Sequence, residues 1–388
     1  MTFLLDDEQR EFGRTLDRML GAADIAGAVR AWAVDDTGPG RKVWQRLADL
    51  GVFALAVPEE HAGSGFLPVE LAVAFVELGR HGVPGPVVET VAAAALLRRL
   101  GDPAPSARWL PGIAAGSHLV SYADSYGETD GTDGTDGTDG TAGTDGTGEG
   151  GHPGGDAEAD GGRGPYALDA HTADTTFVVA GDRLLSATDH GPVQPSLDPA
   201  RRLARPAYGG EVLASGPAVR AASRHAVDVA AFLTAAQALG AGRRLLADTV
   251  TYVRQRKQFG VAVGSFQAVR HRLADALVAL EFAQPLVFGA AVALAAETGA
   301  DEQRGRGVAA EGAGRAAAVR REVAAAKVAA GEAAYGAARA ALQLHGAIGY
   351  TDELDLSLWI RKARALRTAW GTPSECRARV LAGQDIFY

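Results

Sequence analysis

Residues 252–275 read YVRQRKQFGVAVGSFQAVRHRLAD, and this stretch joins two long helices. One helix rises through Leu245, Leu246 and Tyr252, and its spacing predicts that it continues to about Gln258. Gly260 breaks it, and a second helix is expected from about Ser265. The break sets Arg256, Lys257, Phe259 and Gln267 on one short exposed turn. A guanidinium there can take two phosphate oxygens at once, while an aromatic ring and an amide flank a nucleotide. A plain helix hairpin with solvated basic residues satisfies the same letters, so two readings stand at this point.

Outward from the turn, the chain is mostly helical in pattern. Its 388 residues suit two or three domains, and its 47% apolar content is rich in Ala, Val and Leu with only 6% aromatic residues. Phe12, Leu16 and Leu20 recur at helical spacing, as do Trp44, Leu47 and Leu50 before Gly51. A loop at Pro58–Phe66 precedes a further helix through Val69, Phe75 and Leu78. From Ser117 the pattern shortens to the strand-like runs HLVSYA, FVVAG, DRLLSA and EVLASG. Long helices return from Ala221: one to Gln258, one over 265–298, one ending near Leu344, and a last one opening near Pro373. The expected domains are 1–116, 117–220 and 221–388.

The net charge of -9 is concentrated in one place. Glu128, Asp130, Asp133, Asp136, Asp139, Asp145, Glu149, Asp156, Glu158 and Asp160 fall in a Gly-Thr-Asp insert that has no Lys or Arg between Gly127 and Gly162. The insert, 127–164, repels itself and has nothing to bury, so it reads as a disordered loop. A calcium reading of the Asp repeats lacks the periodic apolar residue of a β-helix repeat. The remaining charge is near balance and says little about partners; no nucleic acid partner is expected. A single Cys376 excludes an intrachain disulfide and a multi-Cys metal site, and a reducing, cytoplasmic location is the expectation. No uninterrupted run of about 18 uncharged apolar residues occurs, so no membrane span is expected. The acidic start MTFLLDDEQREF does not read as a signal peptide.

RKQFG at 256–260 followed by Phe266-Gln267, WQRLADLGVFALAVPEEHAGSG at 44–65, QLHGAIGY at 343–350 and LWIRKARALRTAWGTPSECRARV at 358–380 resemble the acyl-CoA dehydrogenase family in order and spacing. The resemblance covers nearly the whole chain except its middle. It implies a mainly α fold with a reduced β domain: an N-terminal helical domain, a middle β-barrel-like domain and a C-terminal four-helix bundle. It also implies FAD, with the RKQFG turn and the Gln343–Gly349 turn reaching the ADP part of a neighbouring subunit's cofactor. Arg256, Phe259, Gln267, Gln343, Gly346, Ala347, Thr372 and Ser374 are the cofactor-contact candidates on that basis. Arg361 aligns with the Arg of the family's closing segment. Gly346 can also be an ordinary helix cap.

The departures bear on function. In the family a carboxylate removes the α-proton of an acyl thioester. Most members place that Glu immediately before a Gly-Thr, where this chain has Trp370; a minority place it where this chain has Ala230. The flavin-ring loop of the family is replaced by the insert, and no Trp-Ile-Thr-like segment appears. Asp228 lies about 200° around the helix from Ala230, Glu375 is placed to complement a helix dipole, and Glu353 sits in a loop. His225 and His345 read as surface or packing residues. The resemblance therefore implies no catalytic residue of its own and FAD shared with a base-bearing homologue that binds the acyl-CoA. An electron-transfer flavoprotein is a further candidate partner. An active homomer with a relocated base and a flavin-free scaffold are the alternatives.

Overall fold

The computed structural model describes residues 5–124, 165–207, 209–304 and 309–382, with backbone alone at 299–304 and 309–313. The insert at 127–164, and the disorder expected of it, lie outside the described residues.

Helix α7 (Pro217–Gln255) is the axis of the molecule. Every residue from 228 to 242 is buried, as its apolar run on all sides requires. Before it in the chain come α1 (Asp7–Gly21), α2 (Ile25–Ala33), α3 (Gly38–Asp49), α4 (Pro68–His81), α5 (Val87–Leu100) and α6 (Pro103–Ala114). The DDEQ at the start of α1 forms a capping box between Asp6 and Gln9. α4 and α5 both pack directly on α7. The α4–α7 crossing runs through two glycines. A Cβ on Gly240 would stand 1.9 Å from the Val76 carbonyl oxygen, and one on Gly79 would stand 2.0 Å from that of Gln237.

The middle of the chain holds β1 (Val120–Asp124), β2 (Ala167–Leu168), β3 (Thr175–Ala180), β4 (Arg183–Ala187), β5 (Leu203–Ala204) and β6 (Glu211–Ser215). One four-stranded sheet has the order β1-β3-β4-β6, with β1 parallel to β3 and the other pairs antiparallel; β2 and β5 form a separate ladder. Thr90 on α5 fixes this sheet to the helical layer. Its hydroxyl donates to the Val120 carbonyl at 2.6 Å and accepts from the Val120 N–H at 3.2 Å.

After α7 comes a correction to the expected turn. The helix stops at Gln255 rather than Gln258, and a hairpin of β7 (Lys257–Gln258) and β8 (Val261–Ala262) follows. Phe259 and Gly260 at its tip have φ of 53° and 80°, the paired positive values of a type I′ turn. Then α8 (Gln267–Arg304), α9 (Ala309–His345), α10 (Leu356–Thr368) and α11 (Pro373–Leu381) complete the bundle around α7. Helix α10 is an element that the sequence patterns did not separate from its surroundings. By length and composition α8 could cross a membrane, with a window of mean hydropathy 1.9. Its Leu280, Ala283, Val287, Ala290 and Leu294 are buried in the bundle, while Leu277, Val278, Phe282 and Leu286 are exposed along its outer side.

Gly240→Ala tests the crossing. Helix propensity alone would make this change stabilising by about 1 kcal/mol. The backbone contact predicts the opposite sign, a loss of about 2–3 kcal/mol in urea-induced unfolding.

Candidate functional site

The sequence candidates fall into two groups. The first lies where α7 and α9 end side by side. Tyr252, one turn before the hairpin, stacks on His345 with ring centroids 4.1 Å apart and donates to the His345 carbonyl at 3.4 Å. That contact joins the last turns of α7 to the residue that precedes the 3-10 turn Gly346–Tyr350. His345 is thus a packing residue; its Nδ1 meets the Ala341 carbonyl at 2.8 Å, and burial lowers its pKa. Arg256 and Lys257 are exposed, and neither side chain has a hydrogen bond or ion pair with any described residue. Phe259 is 93% exposed. Gln267, Gln343, Gly346 and Ala347 are exposed too, and Gly346 holds φ 64°. An unpaired guanidinium, a bare ring and two amides, all exposed, are groups that suit the phosphate and base of a nucleotide.

Thr372 and Ser374 form the second group and do not join the first. The Lys327 ammonium on α9 donates to the carbonyls of Leu366, Arg367 and Gly371 at 3.0, 3.0 and 3.1 Å, anchoring this region. Lys327 lies about 24 Å along the helix from Gln343. The Thr372 hydroxyl is taken up by a capping box with Glu375, so both side chains serve the start of α11. Ser374 is exposed. Arg361 turns back to Asp352 and Ser357 on its own side of α10.

Trp370 sits just beyond the Lys327 anchor, with φ 55°, a conformation unusual for a bulky residue. Its indole stacks on Tyr122 of β1, centroids 5.5 Å apart and planes 8° from parallel. Its N–H donates to Glu89 Oε1 at 3.0 Å. The Tyr122 hydroxyl donates to Asp124 at 2.7 Å, and Ser223 of α7 donates to the same carboxylate. Ala230 is fully buried in α7.

Glu89 is the residue that sequence reasoning missed. It is buried at the start of α5, and its Oε2 has no partner. Burial pushes its carboxyl above the usual range, opposed by the charge of Arg201 and the Trp370 hydrogen bond. A signal was present: Glu89 is the lone carboxylate in the apolar run VVETVAAAALL. The other candidate carboxylates are engaged or exposed. Glu375 is in its capping box and Glu353 is exposed. Asp228 points to α9, with Arg320 at 3.5 Å. His225 is buried, with Arg98 at 3.2 Å and Glu297 at 3.5 Å.

Burial lifts Asp228 to about 7, against an ordinary 3.8, while Arg320 pulls the other way. A carboxyl whose pKa is raised by folding stabilises the native state at low pH and loses that contribution as pH climbs through its folded pKa. Asp228→Asn removes this titration. The variant should therefore gain stability relative to the parent between about pH 4 and pH 7, by on the order of 2–4 kcal/mol. Denaturation series across that range measure the difference; a constant offset would contradict the assignment.

A helical layer on a small sheet, backed by a long-helix bundle with an exposed hairpin at one end, defines the class as the acyl-CoA dehydrogenase fold. Residues 6–117 match the acyl-CoA dehydrogenase N-terminal domain and residues 220–383 the acyl-CoA dehydrogenase C-terminal domain. The chain belongs to the acyl-CoA dehydrogenase family. It is 28% identical over 378 residues to acyl-CoA dehydrogenase IpdE2 of Mycobacterium tuberculosis, covering 96% of each chain. The ChsE4-ChsE5 complex from Mycobacterium tuberculosis shares the fold with a TM-score of 0.72 at 20% identity, over 98% of each chain. A glutaryl-CoA dehydrogenase from Mycobacterium smegmatis in complex with FADH2 does so with a TM-score of 0.69 at 18% identity, over 99% of this chain and 97% of that one.

Proposed function

We propose that the chain is the non-catalytic subunit of a hetero-oligomeric, FAD-dependent acyl-CoA dehydrogenase, contributing to a flavin site across an interface with a base-bearing homologue. The observation that carries this reading is Trp370. At the position where most of the family has its base, the indole is stacked on Tyr122 and tied to Glu89, while Ala230 leaves the alternative position apolar and sealed. Bound FAD supplies the hydride acceptor of such a reaction. This chain would contribute Arg256 to a phosphate, together with Phe259, Gln267, Gln343, Gly346 and Ala347, all of them exposed. The similarity to a ChsE4-ChsE5 complex supports a homologue as the partner. The exposed apolar residues on α8, with Phe282 at 74%, support burial against another subunit. A cytoplasmic setting, an acyl-CoA held by the partner and reoxidation by an electron-transfer flavoprotein belong to the same reading.

A second reading, an active homomer with a relocated base, is favoured by one observation: Glu89 lies beside Trp370 with Oε2 uncommitted. A flavin-free scaffold would leave the exposed Arg256 and Phe259 without a purpose.

Absorption spectra of the chain purified alone and with a base-bearing homologue separate these readings. The isolated chain should be nearly flavin-free and inactive on acyl-CoA, and the complex yellow, active and holding fewer flavins than chains. Full flavin occupancy with robust turnover by the isolated chain, lost in Glu89→Gln, would instead establish the homomer.

Within the complex, Arg256→Ala should weaken FAD retention by about tenfold or more, as expected for a charge-assisted phosphate contact. Flavin occupancy on dilution is the readout, and unchanged retention would remove Arg256 from the site.

A further inference from the structure

Arg98, in the last turn of α5, joins the N-terminal helices to the bundle. Its Nη2 lies 3.2 Å from His225 Nε2 on α7 and donates to the Thr298 hydroxyl on α8 at 3.3 Å. The guanidinium also stands over the Phe66 ring of the 58–66 loop, 4.4 Å from the centroid. A guanidinium can only donate, so His225 Nε2 accepts and the ring is neutral, with its proton on Nδ1. Nδ1 faces Glu297 Oε2 of α8 at 3.5 Å. His225 and Glu297 are both buried.

This line tolerates one protonation state. A proton on His225 Nε2 would set two N–H donors against each other and place like charges 3.2 Å apart in a buried site. Burial lowers the pKa of His225 from the ordinary 6.5; Glu297 opposes that shift, and Arg98 and Arg99 add to it. Glu297 is held below the usual carboxylate range, burial being outweighed by His225 and the two arginines, with Arg99 at 3.9 Å. It therefore stays charged and would hold an imidazolium. The nearby acid on α7, Asp228, is turned to Arg320 of α9 at 3.5 Å.

Arg98 also has space to move. A cavity of about 350 Å³ adjoins it, lined by Glu60, His61, Pro103, Ser106 and Leu110. Glu60 offers a carboxylate there, shared with His61 at 3.6 Å. We propose that Arg98 is a two-position latch set by His225: on the neutral ring it ties α5 and the 58–66 loop to the bundle, and protonation of the ring draws His225 to Glu297 and drives Arg98 into the adjoining cavity. The latch lies within this chain and does not rest on where the flavin is held.

Hydrogen exchange of the full-length chain, corrected for intrinsic rates, tests it. The amides of Ser64, Gly65 and Leu67 in and beside the loop, and of Gly101 after α5, are hydrogen-bonded and report on the latch. Closure requires the neutral ring, so protection is complete above the ordinary histidine value and falls below it, by at most about tenfold per pH unit. Between about pH 7.5 and about pH 5 these amides should lose about tenfold in protection, while α8 around Glu297 keeps its own. His225→Gln keeps an acceptor and a donor but cannot be protonated, so its profile should be flat over the same range. Glu297→Gln removes the counter-charge and should move the loss to lower pH. A flat wild-type profile, a loss shared equally by α8, or the same loss in His225→Gln would overturn the proposal. The wild-type comparison between segments holds even if a variant fails to fold.

Discussion

The close crossing of α4 over α7 governs the rest of the arrangement. Gly240 and Gly79 let two backbones meet where any Cβ would strike a carbonyl oxygen. With α4 seated so closely, α5 also reaches α7, and Thr90 on α5 then holds the first strand of the sheet. Glu89 is the next residue along α5, so the same fastening delivers its carboxyl to Tyr122 and Trp370. A contact between residues 281 positions apart is thus fixed by a helix crossing with no polar group of its own.

The opposite side of that contact is set by Lys327. Three carbonyls at the end of α10 and in the following turn converge on one buried ammonium. Burial lowers this lysine to about 8 from an ordinary 10.5. The three acceptors favour the charged form and offset part of that penalty. A turn held this firmly can keep Trp370 in a left-handed conformation that a free chain would avoid. The indole is therefore placed from both sides, by the turn behind it and by Glu89 ahead.

Much of this was legible in the sequence, and what escaped was tertiary. Helical periodicity located the main helices because apolar faces at 3.6-residue spacing record burial directly. The hairpin at 257–262 escaped because its strands have two residues each and its tip uses Phe259 where Asn or Asp usually signals such a turn. Helix α10 does carry Leu356, Trp359, Ala363 and Leu366 on its buried side, but it lies between two glycine turns in a segment read as one block. The positions of Trp370 and Ala230 could be read as apolar, yet not what surrounds them. Glu89 stood out only as a charge in an apolar run, and nothing local says that its partner is an indole. At Thr372 the sequence suggested a ligand contact from its helix-start position, and the structure adds a local role, since its hydroxyl oxygen accepts from the Glu375 N–H in the cap.

The polar groups divide according to whether the chain satisfies them itself. Around Trp370, Tyr122, Asp124, Ser223 and Lys327 are each met by a partner inside the chain. At the other end of the bundle, Arg256, Phe259, Gln267 and Gln343 face solvent without such partners. Holding a guanidinium and an aromatic ring out on a tight turn with positive φ at two successive residues gains nothing for the isolated fold. Such a turn gains its stabilisation when something outside the chain packs on it, and the apolar outer residues of α8 pose the same requirement. The surroundings of Trp370 are thus bound mainly to side chains of this subunit, while the exposed groups of the hairpin and of α8 point outward to another molecule.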